Sequence, residues 1–413
     1  MRHAIIPLIF LICIRPAPAQ AVERLVDATG QASSFTTIEQ AMVVSAPGDR
    51  ILVLPGSYPS FLFSRGVQVV GMGTDASQVV VERISFHVSI PAVDYDASIS
   101  NLTIQSSNPL DVLVLSGNEL AAGTLVLDHV DIQGGVFLRG GDNGFYVLVN
   151  DSRITPPAGH GFSGEACWLG GPDSYVEVLN STISGWNADP TQFATAGAGL
   201  RLGGGTSARL CGSVIRGGDG SAVGAPWADG ASGVVHAAPG LVNLRIDGGS
   251  TLLGGQGAAG GAGGDGVAIA GNILLGQASV FGGVGTPAGV PFGLAPPVLM
   301  TTEVSMAIQP ARVNAQGVTH AGPGETVSFA AATPTGTTAI VLSFGLHVPQ
   351  SGLFVAIDPA IQNVYMGNAV SGVVPSVPGA NVSGLMLYAQ AFHYEPSSGQ
   401  WLSSATGAMR IDL

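Results

Sequence analysis

Apolar residues and turn residues recur along this chain in one short phrase. Each copy holds an apolar strand, a turn residue, a small residue and an apolar anchor, with glycines soon afterwards. The anchors lie 28, 22, 29, 32, 37 and 28 residues apart, and they are Ile104, Ile132, Ile154, Ile183, Ile215, Leu252 and Val280. A strand-and-turn repeat of this length, with almost no helical pattern, predicts a solenoid in which each repeat stacks on the previous one.

The turn residue lies three positions before each anchor in the first five copies. The residues at this position are Asn101, His129, Asp151, Asn180 and Gly212. Asn, Asp and Gly adopt the left-handed backbone conformation most readily. We therefore expect a column of left-handed turns along one corner of the solenoid.

The chain before the first repeat predicts a cap. Residues 35–42 combine a helix start signal with apolar spacing, and a helix here would plug the open end of a solenoid. The segments 35–38, 47–49, 55–58 and 71–73 resemble the N-terminal part of right-handed parallel β-helix proteins of the pectin-lyase-like superfamily. The resemblance covers residues 22–290 and implies an all-β, right-handed parallel β-helix.

The resemblance also implies where chemistry would take place. In β-helix enzymes of this superfamily, catalysis occurs on the outer face of one parallel sheet, and acidic polysaccharides are the usual substrates. Fold alone does not assign a function, so the residues of each candidate site have to be tested separately.

The remaining chain predicts two further features. The glycine-rich stretches 217–220 and 254–265 contain few apolar residues, so we expect outward loops that add surface rather than core. Beyond a proline-rich linker at 287–297, residues 326–331, 339–344, 353–357 and 385–392 alternate or run apolar between turns. This pattern predicts a small antiparallel β-sandwich over 298–413.

The N-terminus has the charged, apolar and small-residue regions of a secretory signal peptide over residues 1–19. We therefore expect a secreted, extracellular or cell-surface protein, and no later segment has the pattern of a membrane span. The formal net charge is −13, and all 14 basic residues are arginines. An acidic chain without a basic stripe repels phosphate backbones, so we expect no nucleic-acid partner.

Two cysteines, Cys167 and Cys211, follow the predicted signal peptide. Disulfides form in exported proteins, yet the repeat places these residues on different strands of neighbouring repeats. Two buried, small apolar side chains are the alternative to a disulfide.

Four residues are candidates for catalysis. Gly159-His160-Gly161 matches a motif of polygalacturonase-like glycosidases, although the carboxylate motifs that accompany it there do not precede His160. Asp128 and His129 resemble the Asp-His pair of pectate-lyase-like sequences, and Asp151 and Arg139 could complete an acidic face with an arginine base. A loop histidine and solvated carboxylates at ordinary repeat positions are the alternative interpretation.

A single metal candidate lies in the second glycine-rich stretch. Residues 260–268 fit the nonapeptide Gly-Gly-x-Gly-x-Asp-x-apolar-x, which binds calcium through Asp265 when copies stack. Only one copy is present, so coincidence in a glycine-rich segment is the alternative. We expect no obligatory cofactor, with calcium as the one ion to test.

Exposed aromatic rings would favour sugar binding, because flat rings stack on pyranose faces. The candidates are Trp168, Tyr175 and Trp186, each of which could instead pack inside the protein. Taken together, the sequence predicts a secreted, non-catalytic protein that binds a polysaccharide or cell-surface glycan, or that serves adhesion or envelope structure. The alternative is a polysaccharide lyase or glycoside hydrolase acting on an acidic polysaccharide.

Overall fold

The computed structural model describes most of the chain. The described residues are 22–32, 35–86, 95–105, 113–115, 123–138, 145–155, 166–192, 195–223, 228–236, 240–294, 296–300, 305–309, 312–313, 319–322, 324–332, 337–343, 362–374, 383–396, 400–404 and 407–412. The predicted signal peptide at 1–19 lies outside these ranges.

Short parallel strands stack into three faces, and one turn of the chain through the three faces is called a rung here. The first-face strands are Glu23–Val26, Arg50–Val53, Gln68–Gly71, Tyr95–Gln105, Gly123–Gln133, Tyr146–Asn150, Tyr175–Leu179, Ser207–Cys211, Val242–Asp247, Gly271–Leu275 and Val298–Met300. The second-face strands are Gly56–Tyr58, Val79–Val81, Arg153–Thr155, Thr182–Ser184, Val214–Arg216, Ser250–Leu253 and Ala278–Phe281, and the strands Tyr95–Gln105 and Gly123–Gln133 bend across the corner to join them. The third-face strands are Phe61–Phe63, Ile84–Phe86, Leu113–Leu115, Val136–Leu138, Cys167–Leu169, Leu200–Leu202, Val234–His236, Val267–Ala268 and Phe292–Gly293.

The fold is therefore a parallel β-helix, which confirms the solenoid that the repeat predicted and the β-helix that the resemblance implied. Side chains alternate between the interior and the outside of each strand. The predicted anchors from Ile104 to Leu252 are all fully buried in one continuous core. Val280, in the final second-face strand, is only partly buried against that core.

The corner between the first and second faces is the predicted column of left-handed turns. Its five residues have φ between +43° and +62°, and they are Asn101, His129, Asp151, Asn180 and Gly212. The prediction for this column is confirmed.

A column of serines follows these turns. Ser181 Oγ accepts a hydrogen bond from the backbone N–H of Ser152 at 3.0 Å and donates one to the carbonyl of Leu179 at 2.6 Å. Ser152, Ser213 and Ser250 repeat this arrangement, so each hydroxyl joins two successive rungs. The hydroxyls satisfy backbone groups that the corner would otherwise bury without partners.

The predicted N-terminal cap is a helix at Ile38–Val44. The Thr37 side chain caps it by accepting a hydrogen bond from the N–H of Gln40, and Ile38, Ala41 and Met42 are buried in the solenoid core. Two single-turn 3-10 helices lie at Ala76–Gln78 and Pro190–Gln192. In the described ranges, no helix combines the length and the apolar character that crossing a bilayer requires.

The solenoid runs further than the predicted end at 290. Phe292–Gly293 pairs with Val267–Ala268, and Val298–Met300 pairs with Ile273–Leu275, so the predicted boundary at 298 falls inside a solenoid strand. Prolines in this segment suggested a linker, but they lie between the strands of the final rung and leave the pairing intact.

The C-terminal domain has two mainly antiparallel sheets around a separate core, which confirms the predicted antiparallel domain. The smaller sheet contains Ser305–Gln309, Thr326–Ala332 and Ala369–Val373. The larger contains Arg312–Val313, Thr319–Ala321, Thr337–Ser343, Gln362–Met366, Ser383–Glu395, Gln400–Ser403 and Gly407–Asp412. The predicted strand at 353–357 lies outside the described residues.

The glycine-rich stretches differ from the prediction of outward loops that add surface rather than core. They run side by side as extended segments, and a backbone hydrogen bond joins neighbouring segments at every third residue. Gly217 and Gly220 donate to the carbonyls of Leu253 and Gln256, respectively. Gly254 and Gly257 donate to those of Phe281 and Val284. A period of three is typical of polyproline II segments. Turns within 254–266 and 282–291 add hydrogen bonds of their own. We call this structure, formed by 185–188, 195–199, 216–220, 228–233, 254–266 and 282–291, the glycine bundle.

Close approach of backbones requires glycine in this bundle. A Cβ atom on Gly255 would lie 1.8 Å from the carbonyl oxygen of Gly218, and one on Gly218 would lie 1.7 Å from that of Trp186. The glycines thus pack a second core that is built largely of backbone, which the low apolar content concealed.

Replacing one hydroxyl of the serine column tests its contribution. Ser181→Ala leaves the buried N–H of Ser152 without its acceptor, so we expect the free energy of unfolding to fall by about 1–3 kcal/mol. Chemical denaturation measures this change. Ser57→Ala, at an exposed serine of the second face, is the control and should leave stability unchanged; equal losses in the two variants would contradict the assignment.

A methyl group in the glycine bundle tests its packing. Gly255→Ala forces neighbouring segments apart, and overpacking of this kind costs about 1–3 kcal/mol or more. Gly322→Ala is the control, because its Cβ meets nothing within 4 Å. Thermal unfolding should show a lower midpoint for Gly255→Ala alone, and an unchanged midpoint would mean that the bundle is loosely packed.

Candidate functional site

An outward patch on the third face joins two aromatic rings and a guanidinium group. Phe137, Trp168 and Arg201 occupy the same outward position on three successive rungs, in register. The Phe137 and Trp168 ring centroids lie 4.9 Å apart with their planes at 75°, and Arg201 Cζ lies 4.6 Å from the Trp168 centroid. We call these three half-buried residues the Trp168 patch.

The patch forms because strand residues alternate in direction. In each of the three strands, the two flanking residues point into the core and the middle residue points outward. Parallel pairing then stacks the three middle residues at the inter-strand distance of about 4.8 Å, which suits ring-to-ring and cation–π contact. The glycine bundle precedes the strands at 200–202, 234–236 and 267–268, so it borders this face on the side where the chain enters it.

A second polar group of residues lies on the first face, beneath the C-terminal domain. Arg209 donates one hydrogen bond to Asp247 Oδ2 at 2.7 Å, one to the carbonyl of Ser403 at 3.1 Å and one to the carbonyl of Ser404. Arg245 donates to the same carboxylate oxygen at 2.8 Å. Arg209 and Asp247 are buried almost completely, so the network joins the two domains out of contact with solvent.

Aromatic and apolar residues extend this interface toward the N-terminus. Tyr146 and Tyr175 stack with centroids 5.3 Å apart and planes 11° from parallel, and Tyr146 donates a hydrogen bond to the buried carboxylate of Glu177 at 2.8 Å. Tyr388 of the C-terminal domain packs into the same cluster. We call the whole area, formed by Val126, Tyr146, Leu148, Tyr175, Glu177, Leu179, Arg209, Arg245 and Asp247, the covered belt.

The charged groups of the covered belt change one another's pKa values. Burial disfavours the charged form of Asp247, but the guanidinium groups of Arg209 and Arg245 outweigh it and hold the pKa of Asp247 below its usual range. Burial and the neighbouring Arg209 lower the pKa of Arg245. The ion pairs therefore remain charged at neutral pH, and they fix how the C-terminal domain sits on the first face.

The corner cluster is a third arrangement, formed by Asp128, His129 and Asp151. His129 Nδ1 lies 3.0 Å from Asp128 Oδ1, and His129 Nε2 lies 3.9 Å from Asp151 Oδ2. One ligand-capable atom from each residue lies within 4.8 Å of the others, the only such group in the described ranges. Asn150 Nδ2 donates to both carboxylates.

The corner cluster owes its geometry to the turn column, because His129 and Asp151 are two of its left-handed residues on successive rungs. Burial raises the pKa of Asp151, with His129 opposing this shift and Asp128 adding to it. Two carboxylates and an imidazole at this spacing could hold a divalent cation.

The other predicted site residues are dispersed. Tyr175 lies in the covered belt and Trp186 is fully buried beside the glycine bundle, so neither ring can stack on a sugar from solution; both predictions as ligand-binding residues are corrected. Arg139 and His160 lie outside the described residues. Asp265 Oδ1 accepts a hydrogen bond from the N–H of Val290 at 2.9 Å, so this carboxylate links two segments of the glycine bundle.

The two cysteines are both free thiols. Cys167 points into the core, and Cys211 lies on the outer side of the first face beside the covered belt. Burial raises the pKa of Cys211 to about 12, so its thiol stays protonated and unreactive at neutral pH. Both cysteines are therefore packing residues, which was the alternative to a disulfide.

Sequence reasoning missed Arg201 and the charges of the covered belt. Arg201 follows the same Leu-x-Leu strand pattern that places Trp168, so alignment of the third-face strands could have paired them. Glu177, Arg209 and Asp247 lie 32 to 70 residues apart in the sequence. Ser404 lies 195 residues beyond Arg209, so nothing in a local window connects them.

Comparison with known proteins gives only weak similarity. Pectate lyase Pel9A is 14% identical, with 69% of this chain and 79% of that chain covered and a TM-score of 0.29. Chitinase ChiW from Paenibacillus sp. str. FPU-7, a bacterial cell-surface-expressed multi-modular enzyme, is 10% identical, with 95% of this chain and 24% of that chain covered and a TM-score of 0.15. No protein-family model and no curated protein matches the chain. Similarities this weak say nothing about activity.

The buried ion pairs predict a specific pH dependence of stability. A carboxyl group with a lower pKa in the folded protein than in the unfolded chain stabilises the fold above the unfolded pKa, and this contribution disappears as the pH falls through the folded pKa. Because the folded pKa of Asp247 is lowered, its contribution is complete at neutral pH and declines below about pH 4.

Asp247→Asn tests this assignment. The variant leaves two buried guanidinium groups without their anion, so we expect a loss of about 3–5 kcal/mol at pH 7. The difference from the unsubstituted protein should shrink as the pH falls, which thermal unfolding between pH 7 and pH 3 measures. Asp173→Asn, at an exposed turn aspartate, is the control; a constant difference at every pH would contradict the assignment.

Proposed function

We propose that this protein is an extracellular, non-catalytic glycan-binding protein whose third face contacts a polysaccharide through the Trp168 patch. The observation that carries the proposal is the outward position of Trp168 between Phe137 and Arg201 on three successive rungs. Flat aromatic rings stack on the apolar faces of sugar rings and lose little side-chain entropy when they bind.

The composition of the patch supports this function. Arg201 places a positive charge beside the indole ring, and this charge favours uronic acids over neutral sugars. The parallel strands hold the three side chains on a rigid surface, which reduces the entropic cost of binding an extended chain.

The other two polar areas suit this function less well. The covered belt is closed by the C-terminal domain, so a polysaccharide cannot reach it in the structure described here. The corner cluster lies between the first and second faces, away from the strands that carry the Trp168 patch.

Polysaccharide cleavage is the second candidate function, and the corner cluster is the observation that favours it. Asp128, His129 and Asp151 together could hold a cation such as calcium and move a proton, as a lyase requires. Glycoside hydrolases place two carboxyl groups about 5–10 Å apart with the scissile bond between them. In this cluster Asn150 holds both carboxylates on one side, which supports binding of an ion rather than hydrolysis.

Affinity electrophoresis against a panel of acidic and neutral polysaccharides tests the proposal. We expect retardation of the mature protein by at least one glycan and a loss of about 10- to 100-fold in affinity for Trp168→Ala, as found for aromatic anchors at binding surfaces. Trp168→Phe should retain most of the affinity because it keeps a flat ring. Trp401→Ala, at an exposed tryptophan of the C-terminal domain, is the matched control and should bind normally.

Two further measurements separate the candidate functions. Arg201→Gln should weaken binding to uronate-containing chains more than binding to neutral chains. Unsaturated or reducing sugar released above a boiled control, and lost in Asp128→Ala or Asp151→Ala, would establish the enzyme and refute the non-catalytic proposal. Normal binding by Trp168→Ala would remove the third face as the binding surface.

A further inference from the structure

The C-terminal end of the solenoid leaves its core incompletely covered. In the rung before the last, Leu252, Val267 and Ile273 are fully buried. The inward residues that stack directly on them, Val280, Phe292 and Val298, are only partly buried. Within the described residues, the end therefore exposes part of the hydrophobic column that continues through the rest of the fold.

The backbone is also open at this end. The strands Ala278–Phe281, Phe292–Gly293 and Val298–Met300 each pair on one side only in the part of the chain that the structure describes. Unpaired parallel edges are templates for further strand pairing. At the other end, the helix Ile38–Val44 covers the first rung, so the two ends of the solenoid differ.

Large apolar side chains surround the open end. Five residues there expose between 48% and 72% of their surface, and they are Phe281, Val284, Val290, Leu294 and Leu299. The C-terminal domain lies against the side of the solenoid at the covered belt and leaves these residues exposed. A cluster of this kind on a soluble chain is typical of an interaction surface.

The position of the charged residues in the sequence indicates which partner the open end can bind. Residues 266–302 contain no Asp, Glu, Arg, Lys or His, although the whole chain has a formal net charge of −13. Two copies of an acidic chain repel each other wherever their charged surfaces meet, and this repulsion is smallest where charge is absent. The charge that directly precedes this stretch is Asp265, whose carboxylate accepts a hydrogen bond from the N–H of Val290. An end this low in charge on an acidic chain is therefore suited to contact with a second copy.

We propose that two copies of this chain associate through the C-terminal ends of their solenoids. A two-fold axis perpendicular to the solenoid axis places the same surface on both sides of the contact. In each copy, the free edges of the three final strands form the sides of a triangle. The free edges of the second copy then lie opposite them. The strands across the contact run antiparallel, a pairing that two separate chains form without a crossover.

The resulting particle has one continuous core with a capping helix at each outer end. The two Trp168 patches lie on the same elongated body, so both can engage one polysaccharide chain or two neighbouring chains. Linked sites raise apparent affinity without new contacts. The association itself depends on the solenoid end and does not depend on the proposed glycan binding.

The molar mass of the mature protein in solution tests the proposal. Light scattering after size-exclusion chromatography, over a range of concentrations, should give twice the mass of one chain. Phe281→Glu with Val284→Glu places charges on the open end at exposed positions, and we expect at least about tenfold weaker association, equivalent to about 1.4 kcal/mol. Val43→Glu with Val44→Glu, at exposed positions of the capping helix, is the matched control and should remain dimeric.

Distances between spin labels identify the contacting ends. Cys167 and Cys211 are buried or largely buried, so a label reacts preferentially with an introduced cysteine. Ser279→Cys should give a short label-to-label distance between copies. With rungs about 4.8 Å apart, labels on Val43→Cys should lie roughly 90 Å apart. A single-chain mass at all concentrations, equal weakening by both charge pairs, or a short distance only at position 43 would each overturn the proposal.

Discussion

The whole solenoid depends on the distance between neighbouring parallel strands. Backbone hydrogen bonds hold successive rungs about 4.8 Å apart, so equivalent residues of each repeat lie directly above one another. A residue type that suits one rung then suits the next, which explains the apolar core, the left-handed corner and the serine column. The same constraint brings Phe137, Trp168 and Arg201 into contact, although each belongs to a different rung.

The glycine bundle meets this constraint in another way. At its glycines the segments lie too close together for side chains, and backbone groups satisfy one another across the segments. Polar side chains complete the arrangement at the surface: Asp219 Oδ1 accepts from the N–H of Gln256, and Gln256 Oε1 accepts from the N–H of Val284. One chain therefore contains two kinds of core, one filled by apolar side chains and one filled by backbone.

Residues that recur in every repeat could be predicted from the sequence. Contacts between residues of different repeats or domains could not. The apolar anchors and the residues from Asn101 to Gly212 recur at fixed places in the phrase, so the solenoid and its left-handed corner followed from local pattern. Composition misled at the glycine bundle, because few apolar residues normally mean little packing. Tyr175 and Trp186 looked suitable for sugar binding, but their burial depends on the C-terminal domain and on the bundle, which no single repeat reveals.

The footprint of the C-terminal domain, the set of first-face strands that it contacts, limits where the solenoid can gain or lose a repeat. Covered-belt residues from Val126 to Asp247 occupy five successive first-face strands, and Tyr388 and Ser404 contact different members of that series. Adding or removing one repeat inside this series would shift part of the footprint by about 4.8 Å and separate Arg209 from the carbonyls it binds. None of the described residues between Arg50 and Gln105 belongs to the cluster around Tyr388, so duplication or deletion during evolution is tolerated more readily there than beneath the domain.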